Sequence, residues 1–247
     1  MILAALVILA GAAHAAPAAL SYGAEADGVS RYVFRGLPFS QGPALQPSAW
    51  VGLGGGTLAV WGHVPLTSED VGYDFYEVDP SLDWAFEFGD LGLDIGAVAY
   101  AQTGLPFTAE GLVNLSYAVG WASIFLEQAV DVKEAVGSWY AEVGVSSEHE
   151  AGPVTLAPRL AVAFADAAYN DYYIGEGPDW SPVGLERGAF GLDLSWYPDW
   201  AAGGYLRLHG EGSLLLDGTV RDAVDAPFQV WGGLALGWEG GGGDEEE

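Results

Sequence analysis

Between residues 74 and 100, "DFYEVDPSLDWAFEFGDLGLDIGAVAY" alternates carboxylates with large apolar side chains. Glu77, Asp79, Asp83 and Glu87 occupy odd positions, while Val78, Leu82, Trp84, Phe86 and Phe88 occupy even ones. After Gly89-Asp90, Leu91, Leu93, Ile95, Ala97 and Ala99 oppose Asp94. A period of two, with no i, i+4 recurrence, predicts strands with one apolar and one polar or small face.

The same rhythm recurs in blocks of about ten residues from Leu20 to Trp238. In 20–35 the even positions are Leu20, Tyr22, Ala24, Ala26, Tyr32 and Phe34, against Glu25, Asp27, Arg31 and Arg35. Later blocks set Leu156, Leu160 and Val162 against Thr155 and Arg159, and Phe190, Leu192, Leu194 and Trp196 against Asp193. Short turns are expected at Gly54–Gly56, Gly89–Asp90, Trp121–Ser123, Glu148–Pro153 and Pro198–Gly204. Longer segments lie near 37–43, 66–74, 103–110, 133–138, 165–187 and 215–227. The expected fold is all-β: about 12 antiparallel strands with short turns at one end and long loops at the other.

A soluble sandwich would pack the apolar faces together, whereas a transmembrane β-barrel turns them to lipid. Three features favour the barrel. Strands of about ten residues cross a bilayer obliquely. Aromatic residues fall near strand ends (Tyr22, Tyr32, Phe34, Phe86, Phe88, Trp196 and Trp238), as interfacial girdles require. Many polar-face positions are Gly, Ala or Ser, which suits a narrow lumen. Facing is least determined at 45–64, where Trp50 and Trp61 fall on the polar side and a bulge or one-residue slip would invert the hairpin.

Composition sharpens this picture. Seven Lys and Arg stand against 34 Asp and Glu, a formal charge of -27 that repels nucleic acid and gathers cations. Aromatics at 13% and hydrophobics at 51% argue against disorder. Without cysteine, disulfides and thiolate metal sites are excluded. "MILAALVILAGAAHA" reads as a signal peptide over 1–15, ending in the small-x-small Ala13-His14-Ala15. The barrel is assigned to 16–238, and 239–247 to a disordered acidic tail.

"SRYVFRGLPFSQGPALQPS" (30–48) resembles the N-terminal signature of the TorF-type porin family of bacterial outer-membrane proteins. The matching positions are Ser30, Tyr32, Phe34, Arg35, Gly36, Ser40, Gln41, Pro43, Ala44 and Gln46. "FYEVDPSLDWAFEFGDLGLDIGAVAY" is similar to that family's acidic strand, Gly-Asp-Leu turn and Gly-containing strand ending in Tyr. The resemblance implies an outer-membrane β-barrel taken to be a porin, and it brings no chemical role for Arg35 or Gly36. One departure is the C-terminus: such barrels end on an aromatic residue, so Trp238 is taken as that residue, ahead of "EGGGGDEEE".

On this phasing the pore-lining candidates are Glu25, Asp27, Arg31, Arg35, Glu77, Asp79, Asp83, Glu87, Asp94, Glu142, Arg159, Asp193, Arg207, His209 and Glu211. Glu127 and Asp131 share that face. The arginines should pair with carboxylates across strands, since an unpaired charge in a poorly hydrated lumen is costly. An acidic excess then favours small hydrophilic or cationic solutes, with outer-membrane lipid around the barrel and no cofactor. A closed barrel, acting through its external loops, is the alternative.

Other chemistry is weakly signalled. In "HGEGS", His209, Glu211 and Ser213 share a strand face, but Ser213 falls roughly 13 Å from His209, too far for a nucleophile–base pair. The loop at 166–186 offers Asp166, Asn170, Asp171, Glu176, Asp179 and Glu186, oxygen ligands whose spacing matches no EF-hand. The glycines at 54–56 precede no helix, so a phosphate cradle is not supported.

Overall fold

The computed structural model describes residues 20–67, 76–175, 180–224 and 227–241. Residues 1–15, read from the sequence as a signal peptide, and 242–247, read as part of an acidic tail, lie outside them.

The chain forms a closed antiparallel barrel of twelve walls. They are β1 (Leu20–Val29), β4 (Ala44–Leu53), β5 (Gly56–Pro65), β6 (Glu77–Phe88), β7 (Leu91–Gln102), β8 (Thr108–Val119), β9 (Ala122–Asp131), β10 (Trp139–Ser146) with its continuation β11 (His149–Ala151), β12 (Val154–Ala165), β13 (Gly184–Trp196), β14 (Gly204–Leu215) and β15 (Phe228–Gly241). The split between β10 and β11 has a local cause. Pro158 of β12, opposite Ser147, has no N–H to complete the ladder there, although Ser147 still donates to its carbonyl. Not part of the wall are a small hairpin, β2 (Val33–Phe34) with β3 (Leu37–Pro38), and two short helices, α1 (Ala167–Tyr173) and α2 (Gly218–Ala223).

Neighbours in sequence pair throughout, and β1 closes the ring against β15 from Ser21↔Gly241 to Val29↔Gly233. Closure leaves no edge and satisfies backbone donors and acceptors within the wall. The final strand therefore takes in Glu239–Gly241, beyond the Trp238 boundary expected from the sequence. All the long connections lie at one end, and the short turns lie at the other with both ends of the described chain.

The polarity of the fold is inverted relative to a soluble sandwich. Leu82 is 58% exposed and Leu236 64%, whereas Glu77 and Asp79 on the inner face are 1%. Outward aromatics ring the short-turn end (Tyr22, Phe88, Tyr117, Trp121, Trp196 and Trp238), and the Tyr22 and Trp238 rings lie 5.4 Å apart. At 45–64 the register runs without a slip, so Trp50 and Trp61 do face inward. Room for Trp50 comes from Gly23, where a Cβ would stand 2.2 Å from the indole.

Two expectations from the sequence change here. β1 ends at Val29, and Tyr32 and Phe34 belong to no outer girdle: they are 1% and 6% exposed, folded into the lumen. The cause is a two-residue turn at Arg35-Gly36, with φ of 50° and 86°, which reverses β2 into β3 inside the barrel. Positive φ at both central positions is the hairpin turn whose twist matches paired strands. The second change is a bulge in β13, where pairing passes from Ala163↔Arg187 to Phe164↔Leu185. It turns the consecutive Glu186 and Arg187 both inward, so the loop expected over 165–187 contributes wall residues.

Ring closure gives a direct test. A Cβ at Gly233 on β15 would meet His209 Nε2 at 2.4 Å and the Gly28 carbonyl oxygen of β1 at 2.8 Å, whereas at Gly111 it meets nothing within 4 Å. Gly233→Ala is expected to cost ~1–3 kcal/mol through overpacking, and Gly111→Ala to stay within about 0.5 kcal/mol of the parent. Urea unfolding followed by tryptophan fluorescence measures both.

Candidate functional site: the lumen

The inner face alternates as the sequence suggested along most walls, and it places Glu25 and Asp27 (β1), Glu77, Asp79, Asp83 and Glu87 (β6), Asp94 (β7), Glu142 (β10), Arg159 (β12), Asp193 (β13), and Arg207, His209 and Glu211 (β14) on the lumen side. These residues do not form one ring. They sort into separate networks set by which wall supplies the arginines.

All the wall arginines stand on β12, β13 and β14. Arg159 bonds Glu127 at 2.7 Å and Glu142 at 2.5 Å, with its guanidinium 4.2 Å from the Phe125 ring centre. Arg187 reaches the other Glu142 oxygen at 2.6 Å and the Tyr140 hydroxyl at 2.7 Å. Arg207 donates to Glu25 at 2.5 and 3.2 Å, and Tyr205 donates to the same carboxylate at 2.9 Å. Asp193 lies 3.7 Å from Arg207, and His209 Nε2 faces Asp27 at 2.9 Å. Charge pairing across strands supplies what burial takes from each group.

The acids of β6 have no such partner. Strands β4 to β9 carry no Lys or Arg, yet β6 alone presents Glu77, Asp79, Asp83 and Glu87 on its inner face. Glu87 at the short-turn mouth is exposed, Asp94 beside it is half-buried, and Asp83, Asp79 and Glu77 are buried.

The long-loop end of the lumen is filled by the β2–β3 hairpin. Tyr32 and Phe34 pack with Trp61, Val98 and Tyr100, with Phe39 and Tyr173 against them. Arg35 at the tip forms a bidentate pair with Glu110 of β8 at 2.8 and 2.7 Å. Its guanidinium lies 4.6 Å from the ring centres of both Phe34 and Tyr140. Tyr100 donates to Glu110 at 2.7 Å and Tyr173 of α1 at 3.4 Å. Burial, then the Glu110 carboxylate, push the Tyr173 phenol above its ordinary range, so it remains a donor. Behind the tip, a Cβ on Gly36 would stand 2.8 Å from Ser213 Oγ and 2.9 Å from Arg187 Cδ, on the far wall. The hairpin thus spans the lumen from β8 to β13 and β14, and Arg35 is the one non-glycine residue with positive φ among the described residues.

Two of the expected lumen residues are therefore reassigned. Arg35 is the tip of the hairpin, and Arg31 stands at its root, bonded to Gln229 at 3.0 Å. Neither lies on a wall strand, because β1 ends at Val29. Glu110 and Arg187 were not among the candidates. Glu110 fell in an expected loop because β8 carries Leu112 inward and Gly111 outward, which blurs its alternation. The β13 bulge shifts phase at Arg187, and no local composition marks it.

Where it is described, the segment 166–186 forms α1 and the start of β13. Asp166 caps α1 by accepting from Tyr169 N at 2.9 Å, and Asn170 donates to Glu186 at 3.4 Å. Asp171 is exposed on α1, and Glu176 and Asp179 lie outside the described residues. Ser213 sits by the hairpin tip while His209 engages Asp27, so HGEGS assembles no nucleophile–base pair.

Compared with models of known protein families and with curated proteins, the chain matches none.

The Arg35–Glu110 pair can be weighed directly. Arg35→Ala and Glu110→Ala are each expected to cost ~3–5 kcal/mol, because each leaves a buried partner uncompensated. The double change should cost much less than the sum, a coupling that a double-mutant cycle in urea reads out.

Proposed function

We propose that this protein is an outer-membrane barrel of porin type whose cation-attracting lumen is shut at rest by the Val33–Pro38 hairpin. The observation that carries this reading is the hairpin itself, lying across the lumen from Glu110 to Ser213 and Arg187. The apolar outward face, the aromatic ring with Trp238 at its end, and the leader-like N-terminus support placement in that membrane. The resemblance of residues 30–48 to TorF-type porins agrees with it.

In this reading the long loops face outward and the short turns face the periplasm. Solutes reach the lumen from the short-turn mouth, where Glu87, Asp94 and Asp83 draw cations and repel anions. The arginine-bearing wall adds no net positive potential, since its charges are neutralised at 2.5 to 2.7 Å by Glu25, Glu127 and Glu142. Passage beyond the acidic wall requires withdrawal of the hairpin. No cofactor enters this mechanism, which rests on size exclusion and electrostatics.

Conductance in a planar bilayer under a salt gradient tests the reading. The refolded parent protein should be silent, and a variant with Val33–Pro38 replaced by a short Gly–Ser linker should conduct with a cation-selective reversal potential. Asp83→Asn and Glu87→Asn in that variant should weaken the selectivity. Steady conductance by the parent at the level of the linker variant would show that the hairpin is no barrier. Silence from a folded linker variant would point to a structural or surface-binding barrel.

A further inference from the structure

Nearly every basic side chain of the described structure is committed away from β6. Arg35, Arg159, Arg187 and Arg207 hold Glu110, Glu127, Glu142 and Glu25, and Arg31 holds Gln229. Lys133 bonds Glu134 and the Phe107 carbonyl, and Arg221 is exposed on α2. Yet Glu77 and Asp79, both 1% exposed, project from the same inner face of β6 with their carboxyl groups against each other. Gln102 donates to one Glu77 oxygen, and Tyr32 at the root of the hairpin also engages Glu77. Asp79 is approached by the Ala101 backbone and the Glu77 carboxyl, but neither of its oxygens has a partner within full hydrogen-bond geometry.

A second orphan lies in the same belt. Gln46 on β4 gives its amide nitrogen to His63 Nδ1 at 3.2 Å, and its buried Oε1 has no donor. His63 in turn stands directly opposite Glu77, and Trp61 directly opposite Asp79, across the β5–β6 ladder. Buried oxygens without donors are rare in folded proteins and call for a bound water or ion. Two abutting carboxyl groups also cannot both stay ionised unless a positive charge lies with them.

We propose that Glu77 and Asp79 form a binding site for a small, hard cation of the Ca²⁺ type, with the Gln46 amide oxygen as a further donor in the belt. The two carboxylates offer oxygen, which suits such a cation. Among the described residues no three His, Asp or Glu side chains converge as a metal cluster, so the site rests on two carboxylates and water would complete the cation's shell. The site stands at the inner end of the acidic wall, and Glu87 and Asp83 step toward it at about 7 Å per two residues on one strand face. The inference deepens the proposed function, since it names the ligand class of that wall and puts the bound ion beside the hairpin root through Tyr32.

Terbium tests it, because Trp61 and Tyr32 lie in place to sensitise its emission. The full chain, refolded in the presence of TbCl₃, should give tryptophan-excited terbium luminescence that Ca²⁺ displaces. Asp79→Asn and Glu77→Gln should each weaken terbium binding at least tenfold, while Asp193→Asn, on the arginine-bearing wall, should leave it unchanged. Heat-dependent gel mobility confirms that each variant is folded. Luminescence that is absent from the parent protein, or that survives in both β6 variants, overturns the site and leaves the pair sharing a proton. Conductance of the linker variant is read separately, so loss of this site and loss of the channel reading are distinct outcomes.

Discussion

Closure of the sheet between β1 and β15 is the constraint from which the rest of the structure follows. Once the ring is closed, each strand has one face that can meet only the interior and one that can meet only the surroundings. The two-residue period must then keep its phase along each wall unless a bulge resets it, and on β6 Leu82, Trp84, Phe86 and Phe88 go outward because the carboxylates go in. Closure also fixes the width of the lumen. Twelve strands enclose more space than Gly, Ala and Ser side chains can fill. The space at the long-loop end is taken up by an inserted hairpin and by the tyrosines of α1.

That insertion decides where charge can be tolerated. At the filled end, Glu110 is held by Arg35, Tyr100 and Tyr173, and Glu142 by Arg159, Arg187 and Tyr140. Such networks add little net stability relative to apolar packing, but they are intolerant of losing one member. They therefore fix which side chain meets which across the lumen. Because the wall arginines are confined to β12–β14, the acids of β6 are left with no resident counter-charge. The asymmetry is a property of the placement of seven basic residues, more than of the net charge of -27.

Local patterning carried the walls well. Residues 77–102 alternate so cleanly that every expected facing on β6 and β7 is found in place, and even the inward Trp50 and Trp61 follow the nominal phase. What patterning could not carry is information that arises only after closure. Tyr32 and Phe34 continue the alternation of β1 and read as girdle residues, because nothing local distinguishes a strand that ends at Val29 from one that runs on. The turn signal was Arg35-Gly36, where Asn-Gly or Asp-Gly is the readable form. An arginine is stable at φ 50° here because Glu110 waits 75 residues further on. Glu110 and Arg187 were missed for related reasons, one hidden by an inward leucine on its own strand and the other by a bulge.

The hairpin differs from every other strand pair in one respect that bears on movement. β2 and β3 pair only with each other, so no wall ladder is broken if they leave the lumen. What holds them is the Arg35–Glu110 pair, the aromatic cluster around Phe34, and the close fit of Gly36 against Ser213 and Arg187. Against these works the backbone strain at Arg35, of order 1–3 kcal/mol, which release would relieve. A segment secured by side chains alone and spanning a closed ring can be removed without breaking a wall ladder. A constriction built from wall residues could not be, because each of its side chains is fixed by two neighbouring ladders. The same side-chain anchoring means that the root, where Tyr32 meets Glu77, ties the hairpin to the acidic wall through side chains as well.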